Sequence, residues 1–173
     1  MEIHKFEKLW LVAALVLIVG FIATVTYGAA GVGIEMVDEE GGTVDAEAIQ
    51  NNEYGSQPNF KEPGVYQTGQ NEYDVYVVSQ QFLFKPGTTS PITLPAGSTV
   101  TFYITSADVI HGFEVAGTNV NAMAVPGQVA QITVQFDETG QYGIVCNEYC
   151  GAGHHTMEGS IEVVPQSEYE GGQ

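Results

Sequence analysis

The sequence predicts an all-β domain, a β-sandwich, preceded by one membrane-spanning helix. Three observations lead to this prediction: an uncharged apolar run near the N-terminus, short segments in which apolar and polar residues alternate, and turn residues between those segments. At 173 residues the chain is long enough to bury one hydrophobic core and too short for a multidomain enzyme.

The apolar run extends from Leu9 to Gly33 without a charged residue. Because about 20 apolar residues span a bilayer, it predicts a transmembrane helix over 9–33. Trp10 and Tyr27 lie near its two ends, where amphipathic rings prefer the headgroups. The alternative is a cleaved signal peptide, but its apolar part is usually about 7–15 residues long, and no A-x-A cleavage site follows here.

The positions of the lysines predict the orientation of this helix. Lys5 and Lys8 precede the span, whereas the next cation, Lys61, lies outside the window in which flanking charges act. Residues 1–8 are therefore expected in the cytoplasm, and the rest of the chain on the extracytoplasmic face of a plasma membrane.

The chain carries 21 acidic residues against 4 lysines and no arginine, a net charge of −17. Such a chain cannot neutralise a row of phosphates, which excludes nucleic-acid binding. The acids have two explanations: a halophile's surface adapted to molar salt, where the Debye length is about 3 Å, or a face that steers a cationic partner. Their even spread along the chain favours salt adaptation.

Residues 34–64 are expected to form an acidic, solvated linker between membrane and domain. The segment contains eight acids, the pair Gly41-Gly42, and Pro58 and Pro63, and it has little periodic apolar pattern. One helical turn is expected near Asp45–Gln50.

From about residue 65 apolar and polar residues alternate with period two. The clearest runs centre on Val75, Phe102 and Val134, and the shorter runs Tyr142–Val145 and Ser160–Val164 complete the series. One apolar and one polar face is typical of half-buried antiparallel strands. The globular domain is expected over 65–165, followed by a tail at 166–173.

Potential metal ligands lie near the C-terminus, where residues 146–157 read C-N-E-Y-C-G-A-G-H-H-T-M. The side chains of Cys146, Cys150, His154 and Met157 are soft to borderline donors, a set that selects copper over hard cations. His111, in the motif D-V-I-H-G-F, is the candidate for a further donor.

Three other interpretations of these donors stay open. The two cysteines could form a disulfide, since the exported side of a membrane is usually oxidising. A Cys₂His₂ zinc site would give Met157 no role, and a mononuclear blue-copper site would leave one cysteine spare. Two thiolates that bridge two copper ions use every donor, and this interpretation is favoured.

The pattern C-x3-C-G-x-G-H-x2-M, preceded by an isolated histidine, resembles the dicopper CuA centre of cytochrome c oxidase subunit II, in particular that of the B-type haem–copper oxidases. The resemblance includes D-V-I-H-G-F-x-V-x-G-T-N at 108–119, I-V-C-N-E-Y-C-G at 144–151 and F-E-K-L-W-L at 6–11. It implies a cupredoxin-like, Greek-key β-sandwich and an electron-entry subunit, which passes electrons from a small external redox protein to haem in subunit I for O₂ reduction. The alternative is a membrane-anchored cupredoxin that carries or binds copper without an oxidase partner.

The resemblance implies six copper ligands, which are His111, Cys146, the backbone carbonyl of Glu148, Cys150, His154 and Met157. The two cysteines would bridge both copper ions. His111 and Met157 would complete one copper site, and His154 and the Glu148 carbonyl the other. His155 is out of register with the family's ligand and is expected to face solvent.

The resemblance implies three further roles. Phe82 and Phe84 lie where many subunit II chains have the aromatic residues of the electron entry point, whereas the only tryptophan here is Trp10. Either the electron enters at a surface formed by these phenylalanines, or they belong to the core. The Glu148 side chain matches a position that binds magnesium at the boundary with subunit I in some relatives. Glu7 takes the place of a carboxylate near the proton-uptake pathway. The expected electron donor is a small blue-copper protein or a cytochrome c.

Overall fold

The computed structural model describes residues 4–31 and 41–171, which fall into two units, an N-terminal helix and a β-sandwich. The helix, α1, is Lys5–Gly31, and a short second helix, α2, is Ala46–Gln50. The strands are β1 Gly64–Gly69, β2 Glu72–Gln80, β3 Leu83–Lys85, β4 Ile92–Pro95, β5 Thr99–Ser106, β6 His111–Val115, β7 Asn121–Ala124, β8 Ala130–Gln135, β9 Gly140–Val145 and β10 Glu158–Val164.

Helix α1 begins at Lys5, before the apolar run itself. The Glu7 carboxylate accepts the backbone N–H of His4 at 2.9 Å, which caps the first turn. From Lys5 to Tyr27 the helix is long and apolar enough to cross a membrane. Its large apolar side chains are exposed, as is typical of a helix that faces lipid. The predicted end at residue 33 lies outside the described residues.

Two five-stranded sheets form the sandwich. The first has the order β1-β2-β5-β8 with β3 beside β2, and the second has the order β4-β10-β9-β6-β7. Side chains from both sheets share one buried core, in which Phe113 packs at 5.6 Å, centroid to centroid, against Phe84 and Phe102. The predicted all-β sandwich is therefore confirmed.

Two strand pairs are parallel, although the alternation predicts antiparallel strands. Val75 of β2 lies opposite Phe102 of the parallel strand β5, and Ile92 of β4 opposite Ile161 of the parallel strand β10. Between β2 and β5 the chain crosses to the second sheet to form β4, and so returns in its original direction. Alternation cannot reveal this, since a strand with one apolar face has the same pattern in either orientation.

Part of the predicted linker packs onto the outer face of the first sheet. Ile49, Tyr54 and Phe60 are buried in a cluster with Tyr76 of β2, and α2 lies at the predicted helical turn, capped by Asp45. Residues 41–63 therefore differ from a solvated linker. A few apolar side chains make the contact while the acids of this segment stay exposed, so the composition conceals it.

Tyr76 lies at the centre of the aromatic cluster on this outer face. Its ring stacks on Tyr103 with centroids 4.7 Å apart, and it meets Phe60 and Tyr66 edge-on at 5.3 and 5.7 Å. Burial, followed by the charge of Asp74 and the neighbouring phenols, raises the pKa of Tyr76 to about 12.

Tyr76→Phe is expected to reduce the amount by which the free energy of unfolding falls at alkaline pH. The folded phenol keeps its proton to a pKa of about 12, whereas an unfolded tyrosine ionises near 10. The stability contributed by this shift is complete below pH 10 and is lost between about pH 10 and 12, by about 2–3 kcal/mol. Urea unfolding from pH 8 to 11.5 measures it, with the exposed Tyr149→Phe as control. Equal pH dependence in the two variants would contradict this expectation.

Candidate metal centre

Three neighbouring strands bring the candidate ligands to one edge of the second sheet. His111 is the first residue of β6, Cys146 follows the end of β9, and Met157 precedes β10. Because β9 is antiparallel to both neighbours, its last residue lies opposite the start of β10, and the chain beyond it runs towards the start of β6. The loop from Cys146 to Met157 then folds back over this edge.

The donor atoms of the cluster converge within a few ångströms. Cys146 Sγ lies 3.8 Å from Cys150 Sγ and 3.9 Å from His111 Nδ1, which is 3.2 Å from Met157 Sδ. His154 Nδ1 lies 3.6 Å from Cys150 Sγ. Both cysteines are free, and their separation is well beyond the about 2.05 Å of a disulfide, so both sulfurs are available to a metal.

The backbone of Glu148 also faces the cluster, since its carbonyl oxygen lies 3.1 Å from Cys146 Sγ. The Glu148 side chain is exposed and accepts the backbone N–H of Tyr149 at 3.1 Å. The two adjacent histidines both lie in a 3-10 turn, His154–Thr156, but their side chains face different ways. His154 faces the sulfurs, and His155 is exposed.

Asp108 orients the fully buried His111. Its Oδ1 lies 2.8 Å from His111 Nε2 and also accepts the Val109 N–H at 2.7 Å, while Oδ2 accepts the Gln81 N–H at 2.9 Å. Burial raises the pKa of Asp108, but these hydrogen bonds outweigh it, and the pKa lies below its usual value. Because the ionised carboxylate holds the proton on Nε2, Nδ1 is left with a free lone pair for a metal.

Burial, followed by the hydrogen bond with Cys146 and the charge of Cys146, raises the pKa of the Cys150 thiol to about 11. Since a metal binds the thiolate, a cation that enters the site must displace this proton.

Gly112 allows the loop between the two cysteines to pack against β6. A Cβ at Gly112 would overlap the Asn147 side chain and lie 2.9 Å from the Asn147 backbone nitrogen. Asn147 in turn donates to the side-chain oxygen of Asn121 of β7 at 3.2 Å.

The two candidate entry residues have different surroundings. Phe82 is half-buried and covers the ligand loop: a Cβ at Gly151 would lie 3.3 Å from its ring, and one at Gly153 only 2.5 Å. Phe84 is 1% exposed and packs edge-on against Phe113. A docked protein cannot touch Phe84, whose ring belongs to the core, whereas the half-buried Phe82 can still form part of a surface.

Two further residues of the site, Asp108 and Gln81, lie outside the predicted ligand set. Asp108 lies three residues before His111 in the same motif, and an acid at that spacing is a usable signal for an oriented histidine. Gln81 is 27 residues from Asp108 and 69 from Cys150, its two partners, so no local pattern indicates it.

Glu7 and Trp10 both belong to α1, the other unit of the structure.

Comparisons with known proteins agree on one family. The family model for the periplasmic domain of cytochrome c oxidase subunit II matches residues 59–164. A cytochrome c oxidase subunit 2 of Thermus thermophilus is 38% identical over 166 residues, which cover 93% of each chain. A second protein of that name from Thermus thermophilus is 48% identical over 99 residues, 57% of this chain and 71% of the relative.

Solved structures agree with the sequence relatives. A chain in the cryo-EM structure of a haem–copper terminal oxidase dimer matches with a TM-score of 0.73 and 33% identity, over 92% of this chain and 100% of the other. The periplasmic domain of cytochrome oxidase subunit II from Bradyrhizobium japonicum matches with a TM-score of 0.51 and 22% identity, over 55% of this chain and 86% of the other. The second match supports the cupredoxin-like fold alone.

Gly112→Ala is expected to weaken both the fold and metal loading, because the new methyl group displaces Asn147 and the loop beside it. Overpacking of this kind costs about 1–3 kcal/mol in the free energy of unfolding. Gly143→Ala in β9 is the control, since its Cβ would meet nothing within 4 Å. Denaturant unfolding and copper titration of both variants measure the effect. Wild-type stability in Gly112→Ala would contradict the packing argument.

Proposed function

The chain belongs to the cytochrome c oxidase subunit II family and is the electron-entry subunit of a haem–copper oxidase, and on this premise we propose that its converging donors hold a dicopper centre. It is a copper-binding partner of oxidase subunit I. The observation that carries the dicopper proposal is the pair of buried, free thiols 3.8 Å apart, with an imidazole nitrogen on either side.

Around the two shared sulfurs we divide the remaining donors into two sets. His111 Nδ1 and Met157 Sδ, 3.2 Å apart, belong to one copper ion. His154 and the carbonyl of Glu148 belong to the other. Each ion then has one imidazole, one weaker donor and both thiolates. A single zinc or copper ion would leave part of this buried donor set unused.

Bound copper would supply a one-electron redox couple at this site. The chain's own contribution is rigidity. Asp108 holds the His111 ring, Phe82 packs against the ligand loop, and Asn147 of that loop packs against Gly112 of β6. Ligands that cannot shift when the charge changes keep the reorganisation during electron transfer small, which suits a relay between two proteins.

Two faces of the site suit the two protein partners. We assign the face around Glu148 to subunit I, because the exposed apolar side chains of Val109, Ile110, Met123 and Tyr149 surround it, and such a patch is typical of a protein interface. A magnesium ion at this face would bind the Glu148 carboxylate and take its other ligands from subunit I.

We assign the surface around Phe82 to the electron donor, a small blue-copper protein or a cytochrome c. We propose that the acid-rich surface is that of a halophile, adapted to molar salt. At that salt concentration charge steering is screened, which favours a blue-copper protein that docks through apolar contacts.

We propose that helix α1 anchors the chain in the membrane with its N-terminus in the cytoplasm, and the position of Lys5 and Lys8 before the apolar run supports this orientation. Glu7 then lies at the cytoplasmic membrane edge, where a carboxylate can contribute to proton uptake. Its carboxylate also accepts the His4 N–H, so it has a structural role as a cap.

Electron paramagnetic resonance of the copper-loaded full-length chain in detergent tests the dicopper proposal. One electron shared by two copper nuclei is expected to give about seven hyperfine lines, whereas a single copper gives about four. Cys146→Ser is expected to abolish the multiplet. A four-line spectrum of the wild-type chain would contradict the proposal, and the absence of a haem protein after purification from native membranes would favour a copper carrier.

The two histidines form a matched pair of variants. His154→Ala is expected to alter the copper spectrum and to weaken copper retention by about tenfold or more, since its imidazole faces the sulfurs. His155→Ala is expected to leave both unchanged, since its side chain is exposed. Absorption spectra and chelator competition distinguish them, and the reverse pattern would mean that the assignment is wrong.

A further inference from the structure

We propose that Gln81 is a positioning residue that ties the two halves of the metal centre to each other; the inference rests on the copper centre proposed above. The Gln81 side-chain amide donates a hydrogen bond to the carbonyl oxygen of Cys150. Its backbone N–H donates to Asp108 Oδ2 at 2.9 Å, and the other oxygen of that carboxylate lies 2.8 Å from His111 Nε2. One residue therefore contacts the support of His111 and the backbone of a bridging cysteine.

The position of Gln81 in the fold gives this link its importance. All the proposed ligands lie on the second sheet or on its loop, whereas Gln81 follows the end of β2 in the first sheet. The backbone–backbone hydrogen bonds described for the loop are internal: Cys146 to Met157 at 3.3 Å, His154 to Gly151 at 3.1 Å, Thr156 to Gly153 at 2.9 Å and Met157 to His154 at 3.1 Å. The Asn147 side chain bonds the loop to β7 of the second sheet, and the Gln81 amide adds a hydrogen bond that comes from the first sheet.

Gln81 contacts the peptide group between Cys150 and Gly151, whose conformation the glycine restricts little. Gly151 follows Cys150 with φ +135°, a conformation that favours glycine, and glycine imposes little restriction on its own backbone. A Cβ at Gly151 would lie only 2.7 Å from Gln81 Nε2, so the amide occupies the space that a side chain would take. The hydrogen bond from the Gln81 amide therefore restricts a backbone that the glycine alone leaves flexible.

The expected consequence concerns metal retention more than folding. Partners that orient metal ligands typically change metal affinity by about 10–100-fold when they are removed. Gln81 is itself an exposed side chain, so its loss removes no buried apolar surface and leaves the core intact. We therefore expect the copper affinity to fall by about tenfold while the thermal unfolding of the metal-free chain stays at its wild-type temperature.

Two variants that lack the donor test this: Gln81→Met, which keeps the length of the side chain, and Gln81→Glu, which keeps its shape. The control is Gln80→Met, since Gln80 is an exposed glutamine that ends β2 next to Gln81. Each is made in the full-length chain in detergent, loaded with copper and challenged with a chelator, with paramagnetic resonance spectra recorded before the challenge. Metal-free samples are melted in parallel.

Support requires that both Gln81 variants lose copper about tenfold more readily than wild type, with altered hyperfine splitting, and that Gln80→Met matches wild type. Wild-type retention in Gln81→Met overturns the proposal even if Gln81→Glu is weakened, because charge alone would explain that result. A lowered melting temperature of metal-free Gln81→Met also overturns it, since the role would then be structural. A wild-type chain without the dicopper multiplet would contradict the proposed function and not this inference, which the retention data decide separately.

Discussion

The hydrogen bond between His111 and Asp108 is the interaction on which the metal centre depends. His111 is fully buried at the start of β6, where an unpaired ring nitrogen would be costly, and Asp108 satisfies it at 2.8 Å. The same bond fixes which nitrogen carries the proton, and so turns Nδ1 to the two sulfurs. Asp108 is held in turn by the backbone N–H groups of Gln81 and Val109. The orientation of this proposed ligand is thus determined by two segments that lie far apart in the chain, residues 108–111 and Gln81.

The sheet order explains why those segments meet. The second sheet carries the proposed ligands at the adjoining ends of β6, β9 and β10. In the first sheet, β2 ends just before Gln81 and Phe82. The β5–β6 connection, which contains Asp108, joins the two sheets at this end of the sandwich. The ligand loop is therefore packed between a strand edge below it and the β2–β3 connection beside it. This arrangement suits an electron relay, which works best when its ligands stay still.

Charge has a small part in holding the described part of the domain together. The chain has 21 acids and 4 lysines, and the ion pair that the structure describes is the one within the metal centre. Two of the lysines lie over aromatic rings of the outer cluster, Lys61 above Tyr76 and Lys85 above Tyr54. Apolar burial on both faces of the first sheet provides the stability, while the acids remain in solvent, where salt screens their mutual repulsion.

The sequence alone determined the fold class and the type of metal donor. Twenty-five uncharged residues before an alternating pattern define a membrane helix and a β-sandwich, and Cys146, Cys150, His154 and Met157 lie close enough together to show their donor set. What it could not determine depends on distant contacts. The parallel pairing of β2 with β5, the packing of residues 41–63 and the burial of Phe84 all arise where separate segments meet. Gln81 shows the reason most clearly: its partner Cys150 is 69 residues away, and only the tertiary structure brings that carbonyl within reach of its amide.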